Sequence, residues 1–347
     1  MSAPPVDNKT GFAAHPQLLL DKDGEKLAVV VKATFEAPHD ASAPLELAAK
    51  GRRRGIRFAD VPWDAEKPEK SSLAFAADLC LRKPGTDVVV AATGYAPGGK
   101  AVPAFDVYVQ AGPARRLLRV HGLRVWERGG AGISQGRPIA ELPIRYEHAW
   151  GGFDDSDPEH LVEEARNPVG MGVARDPAAL TDQRAPQIED AAQPVLTAKT
   201  WPQPAGLGPI GRHWEPRRRF TGTYDDLWLD LRAPLTPLDQ DDRVNLVAPP
   251  GLTVAPYLRG GEQFAMLNLV PGGGPLAFPL PVVGLRIEFK VQGRETIVVA
   301  PPIDTVVVDL FGIGPEQPIA VELVWRAYVK APRKMNEAKI TIREARA

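Results

Sequence analysis

The strongest periodicity along the chain is two. Val283, Leu285, Ile287, Phe289 and Val291 alternate with Gly284, Arg286, Glu288 and Lys290, which predicts a half-buried strand. Gln292-Gly293 supplies a turn, and 294–299 reads as the returning strand. An apolar run at 305–310 follows. Ile319, Val321, Leu323, Trp325 and Ala327 then alternate with Glu322, Arg326 and Tyr328, and a short strand at 339–343 closes the chain. Residues 282–345 are therefore expected to form an antiparallel β meander. The N-terminal third carries similar runs at 27–35, 87–95, 105–109 and 116–120, punctuated by Pro-Gly and Gly-Gly pairs. Strand after strand with no helical pattern between them favours a sandwich or barrel. The fold expected is mainly β, with antiparallel sandwich-like or barrel-like sheets built from both chain ends and few short helices.

The middle of the chain breaks this rhythm. Prolines recur every few residues from about 154 to 281, a density that excludes helix interiors and central strands. Short helices are expected only at 158–164, where Asp157 caps and Pro158 opens the first turn, and at 176–181. Five of the seven Trp lie between Trp126 and Trp228, too many for a random linker. The organisation expected is a flexible N-terminus over 1–14 and one domain over 15–345. That domain divides into a β-rich part (15–150), an irregular Pro/Gly/Trp-rich insert (151–281) and the meander (282–345).

Composition narrows the function. Gly (32) and Pro (36) make up about a fifth of the 347 residues, well above the ~12% of average usage, which argues for many turns and shaped surface. With 42 basic and 43 acidic residues the net charge is −1, so no field of one sign favours nucleic acid or an anionic membrane. Basic runs at 52–54, 115–116 and 217–219 lack the interleaved aromatics of a single-strand binder. The one cysteine, Cys80, reads as a buried structural thiol. The first residues lack the charged and apolar regions of a secretory signal, and no apolar run is long enough to span a membrane. A cytoplasmic location is expected, with no nucleic-acid or membrane partner.

Candidate chemistry is sparse. The six His show no i, i+4 zinc spacing, there is no Gly-x-Ser-x-Gly elbow, and 271–275 is a Gly-rich loop without the Lys-Ser/Thr of a phosphate cradle. No metal, cofactor or enzymatic activity is expected. Glu147, Asp154, Asp155, Asp157 and Glu262 flank Gly-Gly turns, and Trp150 and Trp214 can act as sugar platforms. A carbohydrate-active enzyme or sugar-binding module is therefore the competing reading.

A set of short motifs occurs in a fixed order. It runs from Val30-Val31-Lys32-Ala33-Thr34-Phe35 through Lys83-Pro84-Gly85-Thr86-Asp87-Val88, Gly122-Leu123-Arg124-Val125-Trp126 and Leu142-Pro143-Ile144-Arg145-Tyr146-Glu147-His148-Ala149-Trp150-Gly151-Gly152. Asn167-Pro168-Val169-Gly170, Pro186-Gln187-Ile188-Glu189, 204–210 and Trp214-Glu215-Pro216-Arg217 follow. Gly222-Thr223-Tyr224-Asp225, Trp228 and Leu258-Arg259-Gly260-Gly261-Glu262 complete the set. In this order the chain resembles a bacterial family of unknown function, domain-of-unknown-function family 2169, found beside type VI secretion genes. The resemblance spans roughly 15–330. Trp150 stands where the family pattern has Phe, and Leu123 where it has Asp, which weakens any role for a carboxylate there.

The resemblance implies a cytoplasmic adaptor or chaperone. Its partner would be a type VI effector or that effector's PAAR-like domain, loaded onto the spike protein. A structural part of the secretion apparatus is a further alternative. The candidate partner contacts are Trp150, Gly151 and Gly152, the run Arg217, Arg218 and Arg219, and the loop Gly260, Gly261 and Glu262. Asn167, Pro168, Gly170, Trp214, Gly222 and Trp228 are expected to be structural. Arg217 is open to two readings: a bidentate pair with a partner carboxylate, or an internal anchor for a carboxylate such as Asp225.

Overall fold

The computed structural model describes residues 4–37, 44–314 and 317–345. Strands hold 40% of the residues and helices 9%, so the chain is mainly β. Three sheets carry the architecture. In the largest, the order is Thr253–Val254, Thr86–Ala91, Ile303–Asp309, Ile319–Lys330, Gly24–Ala37 and Ala13–Asp21, with Glu46–Leu47 added beside Gly24–Ala37. The five-stranded sheet runs Ile188–Asp190, Ala114–His121, Ala104–Ala111, Gln263–Leu267, Pro275–Pro279. The four-stranded sheet runs Val6–Asn8, Ala338–Glu344, Leu285–Val291, Ile297–Val299. One apolar cluster draws side chains from all three, including Val31, Val107, Phe264, Ile287 and Trp325. No helix among the described residues is long and apolar enough to cross a membrane.

The strands form where the alternation predicts them, and both chain ends do share a sheet: Ile319–Lys330 pairs along its whole length with Lys26–Ala37. The C-terminal region is nevertheless not one meander. Leu285–Val291, Ile297–Val299 and Ala338–Glu344 belong to the four-stranded sheet, while Ile303–Asp309 and Ile319–Lys330 cross into the largest. There Ile303–Asp309 runs parallel to Thr86–Ala91. Both strands are buried along their entire length, as a parallel pair requires, so they seek each other in the interior.

Three other expectations are revised. Within 1–14, Val6–Asn8 adds a parallel strand beside Ala338–Glu344, because the last strand leaves an edge to be paired. Within 151–281, Gln263–Leu267 and Pro275–Pro279 extend the five-stranded sheet; Phe264, Met266, Leu276 and Phe278 point inward between exposed neighbours. At 158–164 there is no helix but a turn and the short strand Val162–Glu163. The prediction at 176–181 holds as a 3₁₀ turn, Pro177–Leu180, capped by the Asp176 side chain.

The back of the largest sheet is buried differently from its front. Leu27, Val29, Val31, Ala33 and Phe35 face the apolar cluster. Lys32 and Thr34 face the other way, as do Glu322 and Arg326 from the neighbouring strand, and all four are buried. The segment 48–82 covers them with charges of its own. Lys32 pairs with Asp78 and, at 3.0 Å, with Glu322; the contacts are Coulombic, without hydrogen-bond alignment. Arg57 pairs bidentately with Glu322, and Arg54 bridges Glu322 at 3.1 Å and Asp309 at 2.8 Å. Arg326 pairs with Asp304 and donates to the Asp78 carbonyl at 2.7 and 3.0 Å. Four cations thus meet four carboxylates, so the buried layer is neutral.

Burial pushes the Glu322 carboxyl up, but Lys32, Arg57 and Arg54 outweigh it and hold it at about 2, below its usual 4.5. The folded form is therefore favoured above about pH 4.5, and that contribution fades as pH falls towards 2. Glu322→Gln should cost roughly 3–5 kcal/mol, because it strands buried cations, and should flatten the loss of stability over this pH window. Urea unfolding between pH 7 and pH 2.5 measures both; acid profiles that run parallel in the two proteins would contradict the assignment.

Candidate functional site

The motif segment folds around one asparagine. Asn167 is fully buried, and its Nδ2 donates to the carbonyls of Tyr146 and Trp150, each at 2.9 Å. Its own carbonyl accepts from Gly152 at 2.8 Å and Gly170 at 3.2 Å. Asn167 therefore clamps the 146–152 turn to the 167–172 turn, and Trp150–Gly151 pairs in parallel with Met171–Gly172. The glycines are dictated by this clamp. A Cβ on Gly151 would lie 2.2 Å from the Asn167 carbonyl oxygen, and one on Gly170 2.4 Å from the Asn167 Nδ2. Gly152, at φ 97°, adopts a backbone conformation that side chains rarely allow.

The tryptophans lock this frame from beneath. Trp150 packs edge-on against Trp126 at 6.4 Å and against Trp201 at 5.6 Å. Trp126 and Trp150 form the centre of a second small core with Val173, Ala185 and Val195. Trp214 packs edge-on against Tyr146 at 5.5 Å in a third. Both Trp150 and Trp214 are buried, so neither offers a face to a sugar ring. Asp155 is exposed, with no ion pair among the described residues, but the other carboxylates are committed. Glu147 accepts from the Ser72 amide and hydroxyl at 2.7 and 2.6 Å. The Arg175 backbone N–H and Ser156 hold Asp154 at about 2, and the Arg175 side chain and His160 lower Asp157. In Glu189, burial pushes upward but His121 and Arg124 prevail, leaving it at about 2. Among the described residues no group of three His, Cys, Asp or Glu is placed to hold a metal ion.

The candidate partner residues separate into three local environments. Gly151, Gly152, Pro168, Gly170 and Met171 line a shallow groove of about 310 Å³ with the exposed Phe153. The Glu262 carboxylate accepts from the amides of Arg259 and Gly260 at 2.7 and 2.8 Å, closing its own turn at Gly260 and Gly261. Arg218 and Arg219 are exposed and pair with Glu215 at 3.8 and 2.7 Å. Arg217 does not anchor Asp225. It is 6% exposed and donates to the carbonyls of Val244 at 2.9 Å and Ile210 at 2.6 Å. Asp225 instead caps a helix by accepting from the Trp228 amide at 2.8 Å. Cys80 is half-buried rather than buried, and its surroundings push the thiol's pKa up through burial.

That helix, Asp226–Leu231, is the feature the sequence reading missed. Its signal was present in Asp225-Asp226 followed by Leu227-Trp228, a capping residue before an apolar run. Gly222, at φ 82°, makes the turn before it. Trp228 is half-buried, and its Nε1 donates to the Leu235 carbonyl at 2.9 Å, folding the helix against the following segment. The Arg232 Nη2 donates to the Lys22 carbonyl at 2.7 Å, tying this unit to the Ala13–Ala37 hairpin. The leucines point outward: Leu227 is 66%, Leu229 60% and Leu231 73% exposed. With Tyr224 and Leu238, five large apolar side chains are exposed over 224–238. No other fifteen-residue window of the described chain exposes more than three, so this stretch stands out as a surface.

The family described as an uncharacterized protein conserved in bacteria (DUF2169) matches residues 22–326. The chain belongs to that family. No curated protein and no solved structure matches it. The DUF2169 match covers the clamp, the tryptophan cores and the leucine helix together.

The clamp and its tryptophans should behave as framework. Asn167→Ala should cost roughly 1–3 kcal/mol for each buried carbonyl it strands, and Trp150→Ala roughly 3–5 kcal/mol for the cavity it opens. Thermal melts read both; an unchanged Tm in Trp150→Ala would show that the turn is not framework.

Proposed function

We propose that this DUF2169 protein is an adaptor that holds a protein partner, with 224–238 as the contact surface. The observation that carries this reading is the outward display of Leu227, Leu229 and Leu231 on a helix held by its cap and by Trp228. Apolar side chains concentrated on an exposed surface favour burial against another protein. Leu227 and Leu231 lie one helical turn apart on the same face, which suits insertion into an apolar groove. Asp226 and Asp230 are exposed and make no ion pair among the described residues. A partner groove rimmed by Lys or Arg would therefore complement the helix.

The resemblance to the type VI secretion neighbourhood supplies the partner class. It is a secreted effector or its PAAR-like domain, bound in the cytoplasm and delivered to the spike. A stable complex of this kind buries roughly 1,200–2,000 Å² in total, more than the helix alone provides.

The double variant Leu227→Glu, Leu231→Glu tests the surface. Both side chains are solvent-exposed, so its Tm should stay within a few degrees of the parent, while co-purification with the effector encoded beside the gene should be lost. Retention of the effector by a folded double variant would remove 224–238 as the contact. Failure of the parent protein itself to retain any neighbouring gene product would remove the adaptor reading.

A further inference from the structure

Arg217 is a buried cation with no ion pair among the described residues. Its only hydrogen-bond acceptors among the described residues are the neutral carbonyls of Val244 and Ile210, reached by Nε and Nη1. Among the described residues no carboxylate pairs with it, whereas the other deeply buried cations Lys32, Lys83, Arg116, Arg124 and Arg326 all have one, Arg116 at 3.9 Å. A desolvated guanidinium facing only neutral dipoles is unfavourable unless an anion joins it.

The guanidinium lines a cavity of about 150 Å³. Asp60, Cys80, Lys83, Arg212 and Asn245 line it too, with apolar side chains between them. Lys83 is already neutralised by the buried Asp87 at 2.7 Å. Asp60 sits at the exposed side and accepts from the Ala77 amide at 2.8 Å. Arg212 is exposed and makes no ion pair among the described residues. Once the Lys83–Asp87 pair is set aside, the lining carries two cations and one carboxylate. Burial and then the like charge of Arg212 pull the Arg217 pKa down to about 10, which still leaves it charged at neutral pH. Arg212 and Arg217 thus repel each other across a space that holds several water molecules.

We propose that this cavity is a binding site for a small oxyanion, a carboxylate or phosphate group, held between Arg217 and Arg212. The free Nη2 of Arg217 supplies a charge-assisted donor, Arg212 supplies a second from the solvent side, and the anion relieves the repulsion between them. A nucleotide exceeds the volume. Inorganic phosphate, acetate or a carboxylate presented by a protein chain are matched to it.

Inorganic phosphate and sodium acetate should each be titrated into the full-length protein at constant ionic strength, with sodium chloride as the reference, and followed by calorimetry and thermal melts. The expected result is saturable binding with a rise in Tm that chloride does not reproduce. Arg212→Gln, at an exposed position, should fold normally and bind at least ~10-fold more weakly, the loss of one charged donor. Arg217→Met should lose the anion-dependent rise in Tm altogether. Saturation by phosphate alone would point to a free phosphate ligand, and saturation by acetate as well to a carboxylate. An equal response to chloride, or unchanged affinity in folded Arg212→Gln, would overturn the site.

Discussion

The back of the largest sheet is held by a neutral layer of buried charge, and the placing of the rest of the chain depends on it. Lys32 and Glu322 come from neighbouring strands, and Arg54, Arg57 and Asp78 come from a covering segment with little regular structure of its own. Such a layer adds little net stability over an apolar one of the same shape. What it fixes is register. A slip of one residue in Gly24–Ala37 would drive Lys32 into the apolar cluster and turn Val31 towards the charges. The same pairs fasten 48–82, which has few ladder bonds to hold it. Through Ser72 and Glu147 this covering segment reaches the turn that Asn167 clamps, so the charged layer and the motif region form one mechanical unit.

Asn167 performs for the irregular middle what the ladders perform for the sheets. A segment dense in Pro has fewer backbone donors to trade with a neighbour, and its carbonyls must still be satisfied when buried. One side-chain amide serving two carbonyls, together with one carbonyl serving two amides, satisfies four such groups at a single residue. The glycines around it follow from the closeness this demands. The tryptophans fill the space beneath, because short turns leave gaps that only large side chains close.

Much of this was legible in the sequence, and the misses have physical causes. Alternation located the strands at 285–291 and 319–327 because one face of each is apolar. It could not say which sheet each joins, since sheet membership is set by non-local pairing, as the parallel contact between Thr86–Ala91 and Ile303–Asp309 shows. Gly-Gly and Asn-Pro marked the turns at 151–152 and 167–168, but the amide that joins them reaches seventeen and twenty-one residues back along the chain with no periodic trace. Arg217 was legible as a charge and illegible in its burial. The helix Asp226–Leu231 was overlooked because its leucines alternate as in a strand, while the Asp225 cap and the Trp228 contact decide for helix.

The motif residues read from the sequence are mostly those the interior consumes. Asn167, Gly151, Gly170, Trp214 and Arg217 are packed or hydrogen-bonded internally, so they specify the frame. On the proposed adaptor reading, recognition of a partner rests on side chains the frame leaves unengaged. The motif 222–225 sits at that boundary. Its glycine and aspartate build the turn and cap, its Tyr224 packs on Trp228 at 4.6 Å, and the leucines it launches make no such internal commitment. A helix of six residues is too short to stand alone. Anchored at both ends by the cap and by Arg232, it can hold apolar side chains in solvent at fixed spacing, and the ordering cost that a disordered binding segment meets on association is already met in the fold.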